Sequence, residues 1–328
     1  MTSGAETVPI FLHDGGPTAI RIAWTATRIV SATEVPHVRP GRSPMRLAVA
    51  LAVLLSALAP AAAQERRTLR APTPFVEDGR PVTLEVVVAA PAGPGPFPAI
   101  VFHHGSTGLG NDPAAFRATW TSDQLAGFFN ARGWLVAFPQ RRGRGASDGV
   151  YDEGFEPDRS RYSCRTELSL AGLRRALADA DAALAFVAGL PEVDAQRLLV
   201  GGQSRGGILA IAYAAAHPGR VRGAIDFVGG WISDRCPNAP AINTETFRRA
   251  GTAAVPTLWL YGENDPFYSL AHSRANFDAF VAGGGRGSFH AFRRGAGANG
   301  HLLLRDPQAW GGAVDDFLRA LDGGPQAR

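Results

Sequence analysis

Gly201-Gly202-Gln203-Ser204-Arg205-Gly206-Gly207 follows the apolar run Leu198-Leu199-Val200 and precedes a helix-compatible segment at 208–216. Within it, Gly202, Ser204 and Gly206 satisfy G-x-S-x-G. A strand that enters a helix through so tight a turn forces the middle residue into a strained backbone conformation. The flanking glycines leave room for the turn, and the serine hydroxyl is left standing clear of the sheet. Small residues cluster in many turns, so the stretch gains its meaning from what surrounds it in chain order.

From residue 83 onward, short β-branched runs alternate with longer amphipathic stretches, which is the pattern of an α/β sheet. Strands are predicted at 84–89, 99–102, 135–138, 197–200, 221–227, 257–261 and 288–292. Several are apolar on consecutive positions, as expected of strands covered on both faces. Helices are predicted at 122–131, 168–188, 207–216, 269–281 and 307–321. The helix from Leu168 carries Leu173, Leu177, Ala180, Leu184 and Val187 at close to a 3.6-residue period. Two connections, 143–167 and 229–255, exceed the usual length of αβ loops. Both leave carboxyl ends of strands (the fourth and the sixth of the sheet), where ligands sit in open α/β sheets, and they are expected to form a small lid.

Acyl transfer by serine needs a base within hydrogen-bond reach and an acid to orient that base. Downstream of Ser204, the strand Thr257-Leu258-Trp259-Leu260-Tyr261 runs into Gly262-Glu263-Asn264-Asp265, so Asp265 lies just past a strand end. The last strand runs into a glycine-rich loop that ends at Asn299-Gly300-His301 and can swing His301 over the sheet. The order Ser, Asp, His is that of α/β-hydrolases. Asp226 and Glu263 are rival acids, while His290 lies mid-strand and His217 sits at a helix end where the dipole explains it. Upstream, Phe102-His103-His104-Gly105-Ser106-Thr107-Gly108 follows an early strand and matches an H-G-x-x-G loop. Its Ser106 N–H would join that of Arg205 in an oxyanion hole; one such donor is typically worth about 3 kcal/mol of barrier. Trp231, Phe267 and Tyr268 flank these loops as candidates for lining an acyl or alcohol pocket, with packing as the alternative reading.

On these motifs the chain resembles the α/β-hydrolase superfamily over most of 81–321. Its G-x-S-x-G-G and the glycine-rich loop before His301 look like the dienelactone hydrolase-like group, with prolyl oligopeptidase-type catalytic domains similar as well. Gln140-Arg141-Arg142-Gly143-Arg144-Gly145-Ala146-Ser147 also matches the R-x-G-x-G-x-S loop common after the fourth strand in this superfamily. Dienelactone hydrolases proper place cysteine where this chain has Ser204. The resemblance therefore implies the α/β-hydrolase fold (a mostly parallel central sheet with helices on both faces) and acyl transfer, and does not extend to dienelactone as substrate. No large propeller domain is expected ahead of the hydrolase region, which counts against an oligopeptidase of that architecture.

The N-terminal part reads differently. Residues 1–44 show no sustained period and are expected to be an unstructured leader. Met45-Arg46, an apolar run at 47–58 and Pro60-Ala61-Ala62-Ala63 make a secretory signal peptide, 45–63, with cleavage after Ala63. The run is shorter than the roughly 20 residues that span a bilayer, so no integral membrane segment is expected after cleavage. With neither a following cysteine nor a preceding twin arginine, the general secretory route is favoured. Met45 is the expected true start, which would make 1–44 a mis-called extension. Residues 64–328 suit one hydrolase domain.

Charge says little: the net is +4, and all 33 basic residues are dispersed arginines. No nucleic-acid surface follows from that, and the histidines and cysteines show no metal-ligand spacing. Cys164 and Cys236 fall one in each long loop. In an exported protein they are expected to form a disulfide tying the two lid segments together. The sequence thus predicts an exported serine hydrolase of small-molecule carboxylic esters, needing no cofactor. A peptidase or acyltransferase of prolyl oligopeptidase-like type, or a non-catalytic hydrolase-like binding protein, are the competing readings. Nothing in the sequence bears on oligomeric state.

Overall fold

The computed structural model describes residues 65–323, which all fall within one compact unit. The leader 1–44, the signal peptide 45–63 and its cleavage site lie outside the described residues. Eight strands form one sheet: β1 (Glu65–Glu77), β2 (Arg80–Ala90), β3 (Phe97–His103), β4 (Leu135–Pro139), β5 (Val193–Gln203), β6 (Gly223–Phe227), β7 (Pro256–Gly262) and β8 (Arg286–Phe292). Their order is β1-β2-β4-β3-β5-β6-β7-β8. The pairs β1–β2 and β2–β4 are antiparallel and the rest are parallel.

β1 is the one strand the sequence reading did not expect. Pro72 and Pro74 argue against a strand, but β1 lies on the sheet edge, where a missing N–H costs no ladder bond. It does alternate, with Leu69, Ala71, Thr73 and Phe75 turned inward between exposed neighbours. A two-residue turn, Asp78 (φ 50°) and Gly79 (φ 72°), joins it to β2. That is the conformation for which Asp-Gly is favoured in tight hairpins, and it was the available signal.

The helices are α1 (Pro113–Phe116), α2 (Asp123–Asn130), α3 (Thr166–Ala188), α4 (Arg205–Ala216), α5 (Glu245–Ala250), α6 (Leu270–Ala282) and α7 (Pro307–Asp322). Right-handed crossovers assign them to faces. The chain steps one way from β3 through α2 to β4, and the other way through α3 to β5 and on to β8. So α2 covers one face and α3 to α6 the other, while α7 returns to α2, where Phe128 and Trp310 pack with centroids 4.6 Å apart. Every residue of β4 and β6 is buried, as is nearly all of β3 and β7. That matches the unbroken apolar runs of the sequence. It also places the carboxyl ends of β3 to β8 on one edge, with the reversal of chain direction falling between β3 and β5.

Cys164 and Cys236, from the loops after β4 and β6, are disulfide-bonded with Cα atoms 5.7 Å apart. The bridge closes a separation of 72 residues. In the chain-entropy model a loop of that size contributes roughly 4 kcal/mol. Replacing both cysteines by serine is expected to lower the denaturant midpoint accordingly, with a midpoint unchanged within error counting against the bridge. Among the described residues no helix is long and apolar enough to cross a membrane.

Candidate active site

β5 ends at Gln203 and α4 begins at Arg205, leaving Ser204 alone in the turn with φ 57° and ψ −120°. Such a conformation is costly for a residue with a side chain and persists only where its surroundings over-determine it. Four backbone bonds do so here: Ser204 N–H to Phe227 O (2.9 Å), and to Ser204 O from the N–H groups of Gly207 (2.9 Å), Ile208 (3.4 Å) and Gly230 (3.2 Å). The flanking glycines are required by space. A Cβ on Gly202 would overlap the Gly206 carbonyl, and one on Gly206 would overlap the carbonyl of His103.

The base loop is brought in by a second close approach. Gly262, at the end of β7, lies against Gly300, so that a Cβ on Gly262 would stand 2.6 Å from the Gly300 Cα. Gly300 then starts a 3-10 turn (Gly300–Arg305) capped by the Asn299 side chain, which accepts from the His301 N–H at 2.9 Å. Gln203 Nε2 donates to His301 O at 2.9 Å, so the residue before Ser204 holds the backbone of His301. The His301 Nδ1 and Asp265 Oδ2 are 2.8 Å apart, and the Asp265 side chain is only 1% exposed. Asp265 Oδ1 accepts from the N–H groups of Phe267 (2.8 Å) and Tyr268 (3.1 Å). A carboxylate so held accepts a hydrogen bond from Nδ1–H, which keeps the ring proton on Nδ1 and leaves Nε2 as the free acceptor.

The rival acids are engaged elsewhere. Glu263 pairs with Arg293 at 3.0 Å. Asp226 is fully buried on β6, where its Oδ2 accepts from the Tyr261 hydroxyl at 2.7 Å. Burial pushes its carboxyl up to about 7. The unfolded value is about 3.9, so between the two the folded protein holds a proton that the unfolded chain has released. The stability this group contributes is therefore full below about pH 4 and lost as pH rises through about 7. Asp226→Asn is expected to remove that loss, so that its denaturant midpoint rises relative to wild type from pH 4 to 8. A constant offset over that range would refute the assignment.

The loop after β3 meets Ser204 directly: a Cβ on Gly105 would stand 3.0 Å from the Ser204 Cβ. Ser106, next along, is exposed. Arg205, whose N–H is the other candidate oxyanion donor, has a buried side chain. Its guanidinium carbon lies 3.6 Å from the Tyr162 ring centroid and 4.4 Å from that of Trp231. Trp231 is completely buried and packs there rather than facing solvent. Phe267 is 49% exposed, with its ring edge on His301 at 4.8 Å. The buried Tyr268 hydroxyl donates to Gly230 O at 2.7 Å. So His301 meets Asp265, Phe267 and Tyr268, Gln203 ties its backbone to the serine turn, and the loop after β3 reaches Ser204 at Gly105, while Trp231 packs against the Arg205 guanidinium.

The R-x-G-x-G-x-S stretch is folded back on itself. Gly143 and Gly145 take φ of 74° and 57°, and the Ser147 hydroxyl donates to Gln140 O at 2.7 Å. Gln203 and Glu153 were not singled out in the sequence. Gln203 is a variable position of the serine motif and Glu153 one acid among several in a long loop, so neither carries a local signal. Among the described residues, no group of three or more His, Cys, Asp or Glu side chains is placed to hold a metal ion.

A model of the dienelactone hydrolase family matches residues 84–293. No curated protein matches the chain in sequence. Among solved structures, the chain is similar to DcsB in complex with its substrate analogue, at 15% identity and TM-score 0.57, covering 80% of this chain and 100% of that one. It is similar to the Pyrococcus furiosus esterase Pf2001, at 14% identity and TM-score 0.53, over 87% and 95% of the two chains. It is also similar to the Pyrococcus horikoshii acylaminoacyl peptidase, at 16% identity and TM-score 0.57, over 84% of this chain and 44% of that one. At such identities the likeness establishes the α/β-hydrolase fold.

Proposed function

The chain belongs to the dienelactone hydrolase family, and on that premise we propose that it is an exported serine hydrolase of small-molecule carboxylic esters. Ser204 attacks the ester carbonyl while His301 Nε2 takes its proton. Asp265 orients the imidazole and stabilises the imidazolium, and the N–H groups of Ser106 and Arg205 receive the oxyanion. The alkoxide leaves with the proton from His301, and water then cleaves the acyl-enzyme through the same histidine. The observation that carries this reading is the 2.8 Å contact between His301 Nδ1 and the buried Asp265 carboxylate, beside a serine held at positive φ. Residues 64–328 form the mature domain after removal of 45–63, and the disulfide between the two long loops supports an oxidising destination.

A fluorophosphonate probe tests the reading. One stoichiometric adduct on Ser204, lost in His301→Ala, is expected, together with turnover of short p-nitrophenyl esters. Absence of any adduct on folded protein would overturn it. Turnover of peptide amides in place of esters would move the assignment to a peptidase.

A further inference from the structure

We propose that Arg141 is a positioning residue that sets the Gly105–Ser106 peptide in its oxyanion-binding orientation; this rests on the oxyanion role given to the Ser106 N–H above. Arg141 is fully enclosed, and its guanidinium is spent on the backbone of the loop beside Ser204. Its Nη1 donates to His104 O at 2.9 Å and its Nη2 to Gly105 O at 3.2 Å. The same Gly105 carbonyl accepts from His104 Nδ1 at 2.8 Å, and His104 Nε2 accepts from the Arg141 backbone N–H at 3.3 Å. Those two bonds require neutral His104 protonated on Nδ1, which leaves Arg141 Nη2, 3.1 Å from that Nδ1, to donate to the Gly105 carbonyl instead. Burial and the adjacent Arg141 charge hold its pKa well below the usual histidine value, in agreement.

The consequence follows from peptide geometry. In a planar trans peptide the C=O and the N–H point in opposite directions. The Gly105 carbonyl is drawn to Arg141 and His104, so the Ser106 N–H of the same peptide points away from them. A flip of this peptide would present a carbonyl oxygen in place of the donor. Arg141 and His104 oppose that flip with two bonds to one oxygen.

Glu153 anchors the arrangement. Its carboxylate pairs with Arg141 Nε, and its other oxygen lies 3.6 Å from Arg205 Nη1. Its backbone carbonyl also accepts from Arg205 Nη1 at 2.7 Å. One buried acid thus ties the loop that carries Ser106 to the side chain of Arg205, whose own N–H is the second donor. The Glu153 backbone is seated on α3 where Gly172 leaves room, since a Cβ there would overlap the Glu153 carbonyl.

The test uses the mature protein, p-nitrophenyl acetate as substrate and phenylboronic acid as a probe that forms an anionic tetrahedral adduct. Arg141→Met is expected to lower kcat by on the order of 10²-fold, as for loss of one oxyanion donor. KM should stay within about threefold, and boronate affinity should fall in step with kcat, because only the tetrahedral species uses the hole. A structural role alone would not couple those two readouts. Unchanged kcat in folded Arg141→Met, a loss confined to KM, or a kcat loss with unchanged boronate affinity would each overturn the proposal. If Arg141→Met does not fold, Arg141→Lys decides. It keeps the charge and one donor, and is expected to lose roughly tenfold in both readouts; no loss in either overturns the proposal. Ser204→Ala separates the two levels of inference. If that variant still turns over ester, the functional reading itself fails; if it is inactive while Arg141→Met is not impaired, only the positioning role fails.

Discussion

Ser204→Ala is expected to lower kcat for ester hydrolysis by about 10⁴-fold or more, leaving only what substrate binding and the oxyanion donors supply without a nucleophile. The substitution removes one oxygen and keeps the Cβ, so the steric demand of the turn at φ 57° is the same for either residue. The four backbone bonds that hold residue 204 involve only main-chain atoms and survive the change. The variant should therefore fold with an unaltered denaturant midpoint and give no fluorophosphonate adduct. A folded Ser204→Ala protein that retains more than about a tenth of wild-type kcat would remove Ser204 from the mechanism.

Asp265→Asn is expected to cost about 10⁴-fold in kcat with little change in KM, through the tautomer of His301. The Asp265 Oδ1 accepts two backbone N–H bonds, from Phe267 and Tyr268. An asparagine would keep its carbonyl oxygen on those donors and turn its NH₂ toward His301 Nδ1. Nδ1 would then have to accept, the ring proton would move to Nε2, and the atom proposed to take the Ser204 proton could no longer do so. The amide is nearly isosteric with the carboxylate, so the fold and the approach of Gly262 to Gly300 should persist. Activity within tenfold of wild type would move the orienting role to another group.

Much of this was legible in the sequence because it is local. Apolar runs bounded by turns marked seven of the eight strands, and periodicity marked the long helices to within a few residues. The glycines of the serine motif announce a turn that needs positive φ, which is a property of the backbone at that point. β1 was missed because its two prolines argue against a strand unless the strand is known to lie on an edge, and edge position is a property of the sheet. The pairing of two cysteines in two long loops could be expected from their placement and from the export that the N-terminal sequence suggests.

The candidate site was legible only as a set of residue types in an order. Asp265, Glu263 and Asp226 are all acids on or just past buried strands, and chain order does not separate them. The fold separates them by giving each carboxylate a different partner: His301, Arg293 and Tyr261 respectively. Trp231 looked suited to line a pocket and instead lies wholly buried against Arg205. The contacts of Arg141 with the 104–105 carbonyls join residues 36 and 37 apart in the chain, and no periodicity encodes them.

By itself, then, the sequence determined the succession of elements, the position of the serine turn and the list of groups able to do the chemistry. Hydrophobic periodicity and backbone preference are set by near neighbours, and so are written in short stretches. The tertiary structure decided which acid meets which base and which arginine holds which peptide. Those pairings depend on where separate strand ends and loops come to lie along one edge of the sheet, where a difference of a few ångströms makes or breaks a hydrogen bond.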